Sequence, residues 1–253
     1  MNTVSLDRTL PIVRTNVALL GRDPGPLIGR IVQPCLLVLL MRPLYVSSME
    51  GQQQGTVQVV LGYQVMFSLL GMSIVGASIL TERRWSTFDR LRATPARTVE
   101  LLAGKAIPVL GFLLVQQSIL LTLGVMVFDL HVDDYRLLVL AELAWTLAVL
   151  CMGAAIALSV NSLAQFTAVI DIGATVLAGL SGALVPMTAM PGWAQACAPI
   201  WPGYWAMSSL RGAVEGDTHT TLVSSAVLAA IAGIAGIVAG HRLARGWGRN
   251  TLL

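Results

Sequence analysis

The sequence predicts an all-α membrane protein with six transmembrane helices and both termini on the cytoplasmic side. Three observations predict it. Six long apolar stretches lie between Leu27 and Gly240. Of the 253 residues 55% are hydrophobic and only 11% charged, whereas a soluble domain usually carries about 25% charged residues. Thirteen of the sixteen Lys and Arg fall in segments that a six-pass arrangement puts on one face of a bilayer. A soluble chain of this length needs a polar shell around its core, and this chain has too little charge to make one.

The same composition excludes several functional classes. A net charge of +3, held in short juxtamembrane clusters and not in a stripe, does not fit nucleic acid as a partner. Cys35, Cys151 and Cys197 stand far apart with no CxxC or His-ligand spacing, so they read as small apolar residues and not as a disulfide framework or a metal site. The first apolar run follows about 26 mixed residues and precedes no small-residue cleavage pattern, which does not fit a signal peptide.

Taken in order, the chain opens on residues 5–20. Leu6, Leu10, Val13, Val17 and Leu20 recur at spacings of four, three, four and three with Arg8 opposite. That narrow stripe predicts a helix lying in the cytoplasmic interface or packed on its own bundle. Gly21, Pro24, Gly25 and Pro26 then break it. A crossing needs about 20 residues, and the spans are expected at about 27–46, 57–80, 106–128, 137–160, 167–185 and 222–240, all within one domain over 1–253.

Charge sets the direction. Arg8, Arg14, Arg22 and Arg30 lie at the start, Arg83, Arg84, Arg90, Arg92, Arg97 and Lys105 between spans two and three, and Arg242, Arg245 and Arg249 at the end. The other side has only Arg42, Arg136 and Arg211. The positive-inside rule then gives N-in, C-in and an even number of crossings.

Two connections are long. In 81–105, Ser86 followed three residues later by Asp89 has capping-box character, predicting a short helix through Arg92 that Pro95 ends. Thr98 with Leu101 and Leu102 begins a further turn into span three. The segment 186–216 holds Pro186, Pro191, Pro199 and Pro202 and is too polar to cross, yet Trp193, Trp201, Tyr204 and Trp205 crowd into it. Trp and Tyr favour the headgroup level, so it reads as short helices dipping into the outer leaflet, a re-entrant hairpin before span six. Non-helical backbone at that depth must be covered by protein or line a wet cavity.

Two motifs fail. Gly104-Lys105 is followed by Ala106 where a P-loop needs Ser or Thr, and position 99 is Val, not Gly. If ATP drives this protein, another chain binds it. Gly179-Leu180-Ser181-Gly182 resembles the nucleophile motif of rhomboid intramembrane proteases, and His241 ends span six. Ser181 belongs near the outer face and His241 at the inner one, whereas a base must lie within about 3 Å of its nucleophile. Small residues allowing close helix packing account for Gly179, Gly182 and the GxxxG at Gly236 and Gly240.

Intramembrane polar groups are costly and point to function. Asp171 lies about a turn inside span five, Glu142 about a turn inside span four, and Gln116 and Gln117 mid-span in span three. Glu142 and Asp171 read equally as pathway groups and as bundle-internal hydrogen bonders. Their opposite depths do not fit a proton relay between them. Arg42 can snorkel outward.

The loop Glu82-Arg83-Arg84-Trp85-Ser86-Thr87-Phe88-Asp89-Arg90-Leu91-Arg92-Ala93-Thr94-Pro95 resembles the E-R-x-x-G-T-x-x-x-L-x-x-x-P stretch of ABC-2 type permeases, especially the daunorubicin-resistance group, with Ser86 where Gly is usual. The segment Leu184-Val185-Pro186, Met190-Pro191-Gly192-Trp193, Pro202-Gly203-Tyr204 and Leu210-Arg211-Gly212 is similar to that family's outer hairpin. With the six spans and the N-terminal helix, the likeness covers nearly the whole chain.

The resemblance implies a non-catalytic permease subunit of a bacterial ABC exporter in the cell membrane. Two such subunits, as homodimer or heterodimer, would sit among membrane lipid on two copies of a separate ABC ATP-binding subunit, which would hold ATP and Mg; this chain would carry no cofactor. Glu82, Arg83, Arg84, Ser86, Thr87, Phe88, Asp89, Arg90 and Leu91 would belong to the helix that couples to the ATPase, with the 5–20 helix beside it. Gln116, Glu142 and Asp171 are the pathway candidates. An amphipathic drug, antibiotic or lipid-like cargo suits the apolar helix faces; a polysaccharide or O-antigen exporter is the nearest rival, less favoured because few aromatics stand on the spans. An ion-driven carrier would usually be longer and show an internal repeat, and none is seen.

Overall fold

A computed structural model describes residues 6–22, 25–49, 51–84 and 98–244. Its long helices are α1 (Leu6–Arg22), α2 (Gly25–Ser48), α3 (Gln52–Arg84), α4 (Thr98–Phe128), α5 (Tyr135–Ala157) and α6 (Leu163–Leu180). Two short helices, α7 (Gly192–Cys197) and α8 (Pro202–Val214), precede the last, α9 (Thr218–Ala244). Single 3-10 turns at Met187–Ala189 and Ala198–Ile200 flank α7. Among the described residues there is no strand.

Six of these helices, α2 to α6 and α9, are long and apolar enough to cross a bilayer. The expected number of spans is therefore present, and most run past their expected ends. Two boundaries move for local reasons. The fifth span, expected at 167–185, is Leu163–Leu180. Ser162 starts it early by accepting from the Gln165 amide at 3.2 Å. Ser181 then caps its end, and Gly182 turns the chain at φ +82°, a conformation that suits glycine. The fourth span, expected at 137–160, is Tyr135–Ala157, opened by Asp134, whose carboxylate accepts from the Arg136 amide at 2.7 Å.

The helices do not share the interior equally. α3 packs against α2, α4, α5, α6 and α8, and α9 packs on α5 and α8. In its most apolar stretch α3 is 78% buried, against 11% for α2 and 22% for α6. The core is built around it, from Val60, Leu61, Val65 and Leu69 of α3 to Trp145 of α5 and Phe166 of α6. Close approach occurs at all four of its glycines, Gly55, Gly62, Gly71 and Gly76, and is tightest at two. A Cβ at Gly62 would stand 2.0 Å from the Ala183 carbonyl oxygen, and one at Gly76 would stand 1.8 Å from the Phe166 ring.

Of the small residues singled out from the sequence, Ser181 packs tightly on Gly203 and Gly182 on Met187, but the other three glycines do not serve this purpose. Gly179 and Gly240 have nothing within 4 Å of a modest side chain, and Gly236 has only the Cys151 sulfur at 3.8 Å. Gly179 and Gly240 thus meet no neighbouring helix within this chain and Gly236 makes only an ordinary contact, so spacing alone did not identify the close approaches.

The N-terminal helix is present as α1 and packs on α4, where the Asn16 amide reaches the Gly104 carbonyl at 3.5 Å. The segment expected as a hairpin forms two short helices, α7 and α8, joined by a turn at 198–200. Its first limb is short and exposed, with Trp193 and Ile200 largely uncovered. Its second limb, α8, is buried along Gly203, Ala206, Met207 and Leu210. Trp205 donates to the Pro199 carbonyl at 2.9 Å and meets Tyr204 edge to face, which fixes the bend between the limbs.

Candidate functional site

The bundle has two chemically distinct ends. At one, Lys105 donates to the Ser78 carbonyl at 3.1 Å, so the foot of α4 is tied to α3 just before the 81–105 connection. α1 lies against the same foot of α4. At the other end, Gln53 of α3 donates to the His131 carbonyl at 3.1 Å, the Asp133 amide donates to the Val214 carbonyl at 3.0 Å, and Tyr45 donates to the Leu184 carbonyl.

A series of polar contacts runs along α3 between these ends. Gln58 donates to the carbonyls of Gly182 (2.8 Å) and Ala183 (3.0 Å) and accepts from Arg211. Gln64 donates to the Glu142 carboxylate. Ser68 accepts from the Trp145 indole at 2.6 Å. The Leu70 carbonyl and the Ser73 hydroxyl both accept from Arg30, at 3.1 and 2.7 Å. Ser78 closes the series. From Gln58 to Ser78 the helix rises about 30 Å, roughly the thickness of a hydrocarbon core. Each of these side chains is met by another helix or turn because lipid offers it no partner, although one oxygen each of Gln64 and Glu142 is left over.

The sequence-derived site residues fall in different surroundings. Glu142 is enclosed between α3 and α5, with one carboxylate oxygen on Gln64 and the other unpartnered. Thr146, a turn further on, donates to the Glu142 carbonyl and accepts from Gln117 of α4 at 3.0 Å. Gln116 is buried too and donates to the Arg30 carbonyl at 2.9 Å. Asp171 is different: it stands exposed on α6, close enough for its charge to act on Arg30. Gln116, Arg30 and Asp171 thus form one neighbourhood of α4, α2 and α6, while Glu142 belongs to a separate, sealed one. Arg42 donates to Thr56 at 3.2 Å and lies 4.6 Å over the Phe128 ring, so it is held by the protein and does not simply reach for water.

Glu82, Arg83 and Arg84 lie in the last turn of α3. Ser86, Thr87, Phe88, Asp89, Arg90 and Leu91, with the expected short helix through Arg92, lie outside the described residues. Arg30, Gln58, Gln64 and Arg211 were not read from the sequence as interacting groups. The available signal was the density of Gln and Ser on span two.

The geometry also bears on hydrolysis. Ser181 is fully buried, donates to the Ala178 carbonyl at 3.1 Å and packs under Gly203. His241 is exposed in the last turn of α9. The Ser181 end of the bundle is the end where Thr221 of α9 meets Ser209, and His241 lies twenty residues beyond it, about 30 Å along the helix. They cannot act as nucleophile and base.

These features define a multi-pass membrane protein whose spans are organised around one buried, polar-studded helix. The family model for the ABC-2 type transporter matches residues 10–214, well over half of the chain. The chain therefore belongs to the ABC-2 type transporter family and is an ABC transporter permease. That membership implies an ABC ATP-binding partner; permeases of this family are typically non-catalytic membrane subunits. No curated protein matches the chain.

Proposed function

We propose that this permease is the membrane half of a bacterial exporter that moves an amphipathic drug, antibiotic or lipid-like molecule outward, powered by ATP bound to two copies of a separate subunit. The observation that carries this reading is the coincidence of the family match with the sorting of charge: the basic connection 81–105 belongs to the same end of the bundle as α1 and the foot of α4. By the positive-inside rule that end faces the cytoplasm. Residues 82–91 then meet the ATPase, with α1 beside them.

Cargo passes where the bundle offers polar groups at its surface and not where it seals them. Asp171 supports a route beside α6 and α2, because an exposed carboxylate at span depth needs a wet cavity or another protein chain against it. A second permease, identical or a sibling, supplies that wall. Gln116 holds the Arg30 backbone at the edge of the route. Glu142 supports a structural role.

Reconstitution with the cognate ATPase tests the reading. Reversing charge at Arg83, Arg84 and Arg90 should abolish transport-linked stimulation of ATP hydrolysis while the bundle stays folded; normal stimulation would count against it. Labelling of a cysteine placed within 85–97 by an impermeant reagent outside intact cells would overturn the orientation.

A further inference from the structure

At the end of the bundle away from the basic connection, a cavity of about 730 Å³ opens between the α2–α3 turn, the 129–134 connection, the turn after α6 and the end of α8. That volume lies within the range of sites that take drug-sized ligands, about 300–1,000 Å³. Part of its lining is buried: Val57 and Val214 are enclosed and Arg211 is half-buried. Met49, Pro186 and Met187 supply apolar wall, the two thioethers being able to adapt to a variable shape. Asp133, Glu215 and His131 stand exposed at the rim.

The charges in this cavity are not neutralised in the expected way. Arg211 and Glu215 are four residues apart at the end of α8, a spacing at which opposite charges commonly pair. Here they do not. The Arg211 guanidinium turns inward and donates to Gln58, which is itself fully buried and fixed by two further hydrogen bonds. Among the described residues, no carboxylate lies within 4.0 Å of Arg211 and no cation within 4.0 Å of Glu215. Asp133, by contrast, is engaged by His131 at 3.1 Å. The cavity lining thus carries one half-buried cation and one exposed carboxylate that form no ion pair among the described residues.

We propose that this cavity binds a zwitterion, with its phosphate or carboxylate on Arg211 and its ammonium on Glu215. A guanidinium held by a fixed acceptor still presents donors suited to an oxyanion. A simple anion would meet Arg211 alone and a simple cation Glu215 alone, whereas a ligand carrying both charges can meet both groups. In the orientation proposed above, which this inference uses only to name a source, the cavity lies at the outer end of the spans, the level of the outer-leaflet headgroups. A phosphoethanolamine headgroup has the required chemistry; a free small zwitterion has it too.

The test is equilibrium binding to the full-length permease purified in detergent, with no ATPase present, so its outcome does not depend on transport. Phosphatidylethanolamine and phosphatidylglycerol are compared by native mass spectrometry. The wild type should retain the zwitterionic lipid about tenfold better than the anionic one, the factor lost with one charge-assisted contact. Arg211→Gln should weaken both lipids. Glu215→Gln, at an exposed position that leaves the fold intact, should erase the preference by reducing only the zwitterionic lipid. Displacement of the lipid by free phosphoethanolamine would identify the headgroup as sufficient; retention against it would identify the lipid as the ligand. Equal retention of both lipids by the wild type, or an undiminished preference in Glu215→Gln, would overturn the proposal.

Discussion

α3 and α6 are both apolar spans, yet they treat polar residues in opposite ways. α3 carries Gln58, Gln64, Ser68, Ser73 and Ser78 and hides them all or in part. α6 leaves its one acid, Asp171, exposed and buries Phe166, Ile170, Ala174 and Ala178 along a stripe beside it. Mean hydropathy does not separate the two helices, at 1.8 for α3 and 1.6 for α6. What separates them is neighbours: five helices enclose α3, while α6 touches the bundle along one stripe. In lipid the polar residue marks the protected face, the reverse of the rule in water. A polar group left outside that protection is therefore the one to connect with transport.

The comparison is sharpest at glycines. Gly62→Ala drives a Cβ into the Ala183 carbonyl, where backbone has nowhere to go. We expect at least about 3 kcal/mol of destabilisation, the upper range for overpacking, read as loss of the folded fraction after heating in detergent. Gly173→Ala on α6 meets nothing within 4 Å and should stay within about 0.5 kcal/mol of wild type. Equal losses at the two sites would break the contrast between a sheltered and an open helix.

A smaller effect is expected at the Gln64–Glu142 contact. Gln64→Leu should cost about 1–2 kcal/mol, since hydrogen bonds between membrane helices average about 0.6 and reach about 1.7 kcal/mol. Glu142→Gln should keep transport. Transport lost in Glu142→Gln with stability unchanged would move the sealed group into the pathway. Asp171→Asn should do the opposite, leaving thermal stability as it was while slowing transport or shifting its pH profile; an unaltered rate and profile would make Asp171 structural.

The smallest effect lies outside the spans. Hydrogen bonds from the Thr220 hydroxyl and amide hold the Asp217 carboxyl below its ordinary range at the start of α9. Its contribution is present above the unfolded carboxylate pKa and fades as pH falls through the lower folded value. Asp217→Asn should flatten the acid limb of the stability curve slightly and leave neutral pH nearly unaffected.

The number of spans, the N-terminal helix and the broken, short-helix character of 186–216 were legible because each rests on a local signal: run length, a three-four spacing, or prolines among tryptophans. The arrangement around α3 was not. Arg30 entered the sequence reading only as a charge to be counted, yet it spans to Leu70 and Ser73, forty residues away. Gln58 meets Gly182 across 124 residues. Such pairings leave no periodicity. The GxxxG at Gly236 misled for the same reason, since close approach depends on what stands opposite, and here that was decided at Gly62 and Gly76.

The Lys105–Ser78 tie has a mechanical meaning. It cross-links the two legs from which the basic connection hangs. If that connection meets the ATPase as proposed, a push on it loads both legs together: α3, the helix with the most neighbours, and α4, on which α1 rests. A tug at the rim would then be felt at the centre of the protein.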